Sequence, residues 1–308
     1  MINLRTNSIL GIATFLMSAS LLFAESTIEY SAPKKVGKLD KRINESSGIA
    51  ASRLRTDVLW THNDSGDSPR LFAIDLEGNS LGECELDKIK AIDWEDMASF
   101  RMDDEAYLVV GDFGDNGQQR KNVQLHLVRE PDPTDKKIKI DRTISFTYET
   151  GANDCECLAI DPTERLAVLI AKGWTPMCEV FAFELPAEDD ETQPVARRLA
   201  TLKLAGATGL DISPDGRRAV VVTYGNAYEY MRAEGESWKV AFSRDGREIE
   251  MPKRKQGEAI CYGADGKTLF VTSERAPSPL FQIEPKSTES EESDDKEPVD
   301  NTTTADNN

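Results

Sequence analysis

One short pattern returns five times along this chain, and it constrains the fold more than any other feature. SSGIAAS (Ser46–Ser52), EDMASF (Glu95–Phe100), ECLAID (Glu156–Asp161), TGLDIS (Thr208–Ser213) and EAICYG (Glu258–Gly263) are short apolar runs, each opening on a polar or acidic residue. A turn follows each one, and then a second apolar run: VLWTH, YLVVGD, LAVLIAK, AVVVTY and TLFVTS. A third run comes next (LFAID, VQLHLV, EVFAFEL, NAYEYM, PLFQIE), and most repeats add a fourth: TISFTYE, ARRLATLKL or WKVAFS. Runs of this length bounded by turn residues predict strands, and no stretch of the body sustains a helical period. Strands joined by tight turns pair antiparallel. A four-stranded unit recurring every ~50 residues has the spacing of propeller blades, whereas a sandwich would not repeat as a unit. The expected fold is all-β: a β-propeller of five four-stranded blades. Six blades is the alternative, should the longer Glu130–Asp154 region hold an irregular one. The fifth repeat has no fourth strand of its own, so Thr27–Leu39 is expected to fill that place, closing the ring by pairing the two chain ends.

The ends read differently from the body. Arg5, the nearly unbroken apolar run Ser8–Phe23 and the small Ala24 predict a secretory signal over residues 1–24, too short for a membrane span. Residues 25–286 form the propeller. Ser287–Asn308 is dominated by Ser, Thr, Asn and acids, which predicts a disordered acidic tail. The expected location is therefore periplasmic or extracellular. The formal net charge is −18, and the acidic excess persists when both ends are set aside. That balance argues against nucleic acid and anionic membranes as partners and suits cation binding, or simply solubility. The expected partner is a small-molecule, glycan or protein ligand, bound by a monomer. Five cysteines in an exported chain leave an odd thiol, and the repeat topology brings Cys155 or Cys157 near Cys178, the expected pairing. With two His and no CxxC, a thiolate–imidazole zinc site is not expected.

Stacking the repeats puts Ser47, Glu95, Glu156, Thr208 and Glu258 in one column, where the first strands begin. Asp93, Asp96, Asp154 and Asp211 lie beside it. In a propeller these strand starts share a face with the loops between second and third strands. Those loops offer Asp64 and Asp67 from HNDSGDS, Asp112 and Asp115 from GDFGDN, and Glu274. So many carboxylates on one ring repel unless a cation neutralises them, and hard oxygen donors suit Ca²⁺ ahead of Mg²⁺. The metal set predicted is Glu95, Glu156, Glu258, Asp64 and Asp112. The bland reading is that such acids cap their own loops, with Trp94 wedged between blades and Asp96 holding backbone amides. His62 beside Asp64 is the candidate general base, with Asp112 as the alternative. Lys172, Arg275 and Arg120 are the candidate holders of an anionic ligand group.

Together, NDSG with LFAID, DWEDMA with YLVVGDFGDN, DCECLAID with LIAKG, TGLDISPDG with VVTYGNAYEY, and QGEAICYGADG with TSE resemble a family of exported bacterial β-propeller proteins, over Glu45–Glu284. More distantly the chain is similar to phytase-like and gluconolactonase/regucalcin-like propellers, in which acids at the channel mouth hold a divalent cation. The resemblance implies that Glu95, Glu156 and Glu258 match such acidic positions. It implies a metal-dependent hydrolase of a phosphoester or lactone. The alternative is a non-catalytic propeller that binds a ligand, glycan or protein beside a structural cation. Ser47 and Thr208 depart from a uniform acidic ring.

Overall fold

The structure is a computed structural model that describes residues 27–173 and 175–286. The signal expected over residues 1–24 and the tail expected over 287–308 lie outside the described residues. The fold is all-β and propeller-like. Unit one comprises Ser46–Ala51, Val58–Asn63, Arg70–Asp75 and Ser80–Asp87; unit two, Trp94–Met102, Glu105–Asp112, Val123–Arg129 and Arg142–Tyr148. Unit three comprises Cys155–Asp161, Leu166–Ala171, Cys178–Glu184 and Val195–Leu202; unit four, Ala207–Ile212, Arg218–Thr223, Ala227–Met231 and Arg247–Ile249. Unit five has Gly257–Tyr262, Leu269–Ser273 and Pro279–Ile283, and its outer strand is the N-terminal Lys34–Lys38. The expected closure is therefore made: Lys34 pairs with Gln282 and Lys38 with Pro279, and an isolated bridge joins Tyr30 to Pro285.

Two details differ from the sequence reading. WKVAFS is not a strand: Trp238–Ala241 is a helical turn, because Trp238, Ala241 and Phe242, spaced three and four apart, share one buried face. The short strand Arg247–Ile249 takes the outer place instead. The Glu130–Asp154 region adds Lys137–Lys139 in parallel to the outer strand of unit one and supplies the outer strand of unit two. That last strand also pairs in parallel with Val195–Leu202, through Thr147–Val195 and Tyr148–Ala196. Units two and three thus form one eight-stranded sheet whose two edge strands, Trp94–Met102 and Cys155–Asp161, return to lie against each other. Among the described residues, no helix is long and apolar enough to cross a membrane.

The core lies between units rather than inside them. One apolar cluster fills each junction of successive units, and the last joins unit five to unit one. Trp94 is fully buried in the junction between units one and two, the wedge its sequence context suggests. All five cysteines are free and buried, so the expected pairing is not made. Cys155 faces the junction with unit two, whereas Cys157 faces the junction with unit four, where the Cys178 thiol donates to the Leu204 carbonyl at 3.3 Å.

The first strands pack side by side in a closed cycle, and side chains tie them together. Asp96 is fully buried, and its carboxylate accepts three backbone amides: Met97 at 2.8 Å in its own strand, Leu158 at 2.8 Å in unit three and Leu210 at 3.1 Å in unit four. Burial pushes its pKa well up while the three amides pull it down. Asp211 does the same one unit on, accepting from Ile212 and from Tyr262 of unit five, both at 2.8 Å. Ser99 Oγ donates to the Ala51 carbonyl, and Thr208 Oγ1 to the Gly257 carbonyl. Replacing Asp96 by Ala would strand two buried amides in different units, so Asp96→Ala is expected to lower the unfolding free energy by about 3 kcal/mol. Urea unfolding followed by circular dichroism measures this; a loss below about 1 kcal/mol would show that Asp96 does not tie the units.

Candidate cation site

Two backbone devices, repeated in every unit, build the site. The first is a register irregularity at the start of each first strand. Pairing slips between Ser46 and Gly48, Trp94 and Met97, Cys155 and Cys157, Ala207 and Gly209, and Gly257 and Ile260. Ser47, Glu95, Glu156, Thr208 and Glu258 sit inside those slips. A bulge re-aims the side chain it contains, which is how a strand surrounded by other strands directs a polar group away from its sheet. All five residues are at most 5 % exposed.

The second device is an amide bond from the loop after each second strand back to the segment before the bulge. Asp64 N–H donates to the Glu45 carbonyl, Gly114 to Asp93, Lys172 to Asp154, Tyr224 to Gly206 and Glu274 to Gln256, at 2.7–3.2 Å. The loop positions facing the bulged residues are therefore Asp64, Gly114, Lys172, Tyr224 and Glu274. The Asp-x-Gly-Asp motif of units one and two hides this, because unit two carries its loop in a different register. The counterpart of Asp64 is Gly114, not Asp112.

Asp64, Asp93 and Glu95 each bring a carboxylate oxygen to within 4.8 Å of the other two. Gly114 makes room for them: a Cβ there would run into Glu95 Oε1 and the Asp93 carboxyl group. Asp64 Oδ1 also accepts the Ser65 amide. Burial raises the pKa of all three acids, and mutual repulsion adds to it for Asp93 and Glu95. The donor set, three hard oxygens with charge to neutralise, fits a hard divalent cation. In the neighbouring unit, Glu156 Oε1 lies 2.7 Å from Lys172 Nζ; burial pushes Glu156 up to about 7 despite that ion pair. Burial and repulsion from Glu274 push Glu258 up to about 8, and its buried Oε1 has no hydrogen-bond partner. Burial pushes Glu274 itself up to about 7. The Lys172 ammonium stands 5.4 Å from the centre of the Tyr224 ring.

Of the residues singled out from sequence, Glu95, Glu156, Glu258, Asp64 and Lys172 come together here. The other candidates are committed elsewhere. Asp112 is fully buried; its oxygens accept the Ile92 amide at 3.0 Å, the Asp93 amide at 3.3 Å and Arg120 Nη2 at 2.7 Å. Although burial opposes it, the nearby His126 ring, the Ile92 amide and Arg120 hold Asp112 below the ordinary carboxylate range; His126 Nε2 lies 3.9 Å away. Arg120 also donates to the Gly114 carbonyl at 2.9 Å, so the Asp112–Arg120 pair braces the loop that carries Gly114. His62 is fully buried, edge-on to Trp94 at 5.5 Å, with Nδ1 2.8 Å from the Asn63 carbonyl. Burial pushes its pKa down to about 4, so it is neutral at pH 7 and is not a base poised near working pH. Arg275 is exposed, and its amide donates to the Asn44 carbonyl. The second Asp of each loop motif is structural: Asp67 pairs with Arg70 and accepts Asn63 Nδ2, and Asp115 accepts the Arg120 amide. Asp93, Tyr224 and Glu274 are the members that the predicted site set omits. Asp93 lies two residues before its bulge, and Tyr224 stands alone as an aromatic in an otherwise polar column.

The raised acids make a signed prediction. Glu156, Glu274 and Glu258 titrate near 7, 7 and 8 in the folded chain against an ordinary 4.5. Between those limits the folded chain binds more protons than the unfolded one, so their contribution is complete below the ordinary range and lost as pH rises through 7 to 8. In the presence of a chelator, the melting temperature is expected to fall steadily from pH 6 to pH 9. A flat or rising profile in calorimetric scans contradicts this reading.

No family model matches the sequence, and no curated protein matches it. Among solved structures, hydrazine synthase of Kuenenia stuttgartiensis is similar at 18% identity with a TM-score of 0.38, covering 76% of this chain. The chain spans 57% of that one. Function therefore has to be read from the site's own residues.

Proposed function

We propose that the chain is an exported five-bladed β-propeller that holds a divalent cation, Ca²⁺ ahead of Mg²⁺, at Asp64, Asp93 and Glu95. That cation would serve to bind a ligand at the mouth where the first strands begin. The observation that supports this most is the convergence of three carboxylate oxygens within 4.8 Å around the one loop position that has no side chain. A bound cation would supply Lewis-acid polarisation of an ester, lactone or phosphoester oxygen. Of the chain's own groups, Glu156 suits proton transfer at neutral pH, since its pKa lies near 7 and Lys172 fixes it in place. His62 and Asp112 have no part in this mechanism.

A second reading, a propeller that binds a ligand without catalysis, is favoured by one observation: two of the basic groups expected to hold an anionic ligand are already engaged, Lys172 by Glu156 and Arg120 by Asp112. Both readings need the cation. Calorimetric titration with Ca²⁺ is expected to show binding that Glu95→Gln and Gly114→Ala each weaken at least about tenfold, the second by steric intrusion. Hydrolysis of a lactone and phosphoester panel, abolished by Glu156→Gln, would select the enzyme; binding without turnover would select the binder. Absence of Ca²⁺ or Mg²⁺ binding by the purified chain, with a melting temperature indifferent to chelator, would sink both.

A further inference from the structure

The two columns that face the mouth supply one base, Lys172. Its side chain is 10 % exposed, its ammonium is 2.7 Å from Glu156 Oε1, and it lies beside the Tyr224 ring. Its charge favours the ionised form of Asp64, Glu95, Asp154, Glu156, Glu258 and Glu274, acids contributed by units one, two, three and five. Glu258 is 3 % exposed with Oε1 unpartnered, and Glu274 and Glu156 both repel it. Carboxylates so placed would themselves attract a cation were no ammonium present.

We propose that Lys172 is a tethered counter-ion. It holds the mouth to a single divalent-cation position, at Asp64, Asp93 and Glu95, by answering with its own charge the remaining acids Glu156, Glu258 and Glu274. This rests on the cation reading given above. An ammonium fixed among partly buried acids repels an incoming dication far more strongly than it would in bulk water. Removing it takes from those three acids the ammonium that answers them, leaving Glu258 to the Arg254 guanidinium. The ammonium thus sets how many ions the mouth accepts and leaves the rest of the mouth to a ligand.

Calorimetric Ca²⁺ titration of the full chain and of Lys172→Met, which keeps the length of the side chain and removes its charge, tests this. The wild type is expected to bind one ion per chain. The variant is expected to bind two, or one at least about tenfold more tightly. Lys172→Arg is expected to behave as the wild type. If the wild type binds one ion and the variant matches it in number and affinity, or loses binding, the counter-ion proposal is overturned and the cation reading survives. If only the variant binds, the cation reading of the wild type falls, and with it the claim that Lys172 holds the mouth to one ion. Binding to neither overturns both. Should Lys172→Met unfold in chelator, refolding on addition of Ca²⁺ supports the proposal, and failure to refold with excess Ca²⁺ overturns it.

Discussion

A single buried carboxylate does more to define this molecule than any apolar contact. Asp96 gathers amides from the first strands of units two, three and four, and Asp211 carries the tie on to unit five. Apolar clusters between units supply cohesion, but burial is non-directional and would tolerate sliding of one sheet on the next. Amides aimed at one pair of oxygens do not. They fix the height of each first strand relative to its neighbours, and so fix which residues meet where those strands begin. The convergence of acids at the mouth is a consequence of that alignment.

The bulges then set what the alignment presents. Without a slip, Glu95, Glu156 and Glu258 would follow the ordinary alternation of a strand and point into a junction between units, where a lone carboxylate is costly. With it, they reach a shared space and burden one another instead. Burial and repulsion raise Glu258 to about 8 and burial raises Glu156 to about 7, while Lys172 answers part of the charge from within the fold. The cation proposed for Asp64, Asp93 and Glu95 would complete the compensation. The site is thus built by competition: the backbone forces acids together, and base and proton divide the neutralisation.

Much of this was legible in the sequence, for a physical reason. Apolar alternation and turn residues report on burial and chain reversal, so the recurrence of SSGIAAS, EDMASF and their partners announced the units. The missing fourth strand of the last repeat announced the role of the N-terminal segment. Trp94 and Asp96 were readable from their neighbours because a wedge and an amide clamp are local devices. What could not be read depends on register. Asp64 and Asp112 share a motif, yet one faces the acids and the other is locked to Arg120, since identical letters can sit at different places along a loop. His62 looked like a base because sequence shows its neighbour Asp64 but not the burial that strips its charge. WKVAFS looked like a strand because four of its six residues are apolar, and only their contacts show that three of them share a helical face.

The closure between the chain's two ends has a mechanical meaning. Glu284 N–H donates to Ser31 Oγ across 253 residues of sequence, and Lys34 lies opposite Gln282 while Lys38 lies opposite Pro279. Because the pairing is antiparallel, both chain ends leave the same end of this seam. A force applied between them loads the Tyr30–Pro285 bridge first and then each pair in turn, so the seam unzips one step at a time instead of shearing as a block. Anything tethered to both ends of this protein would hold the ring by its weakest direction.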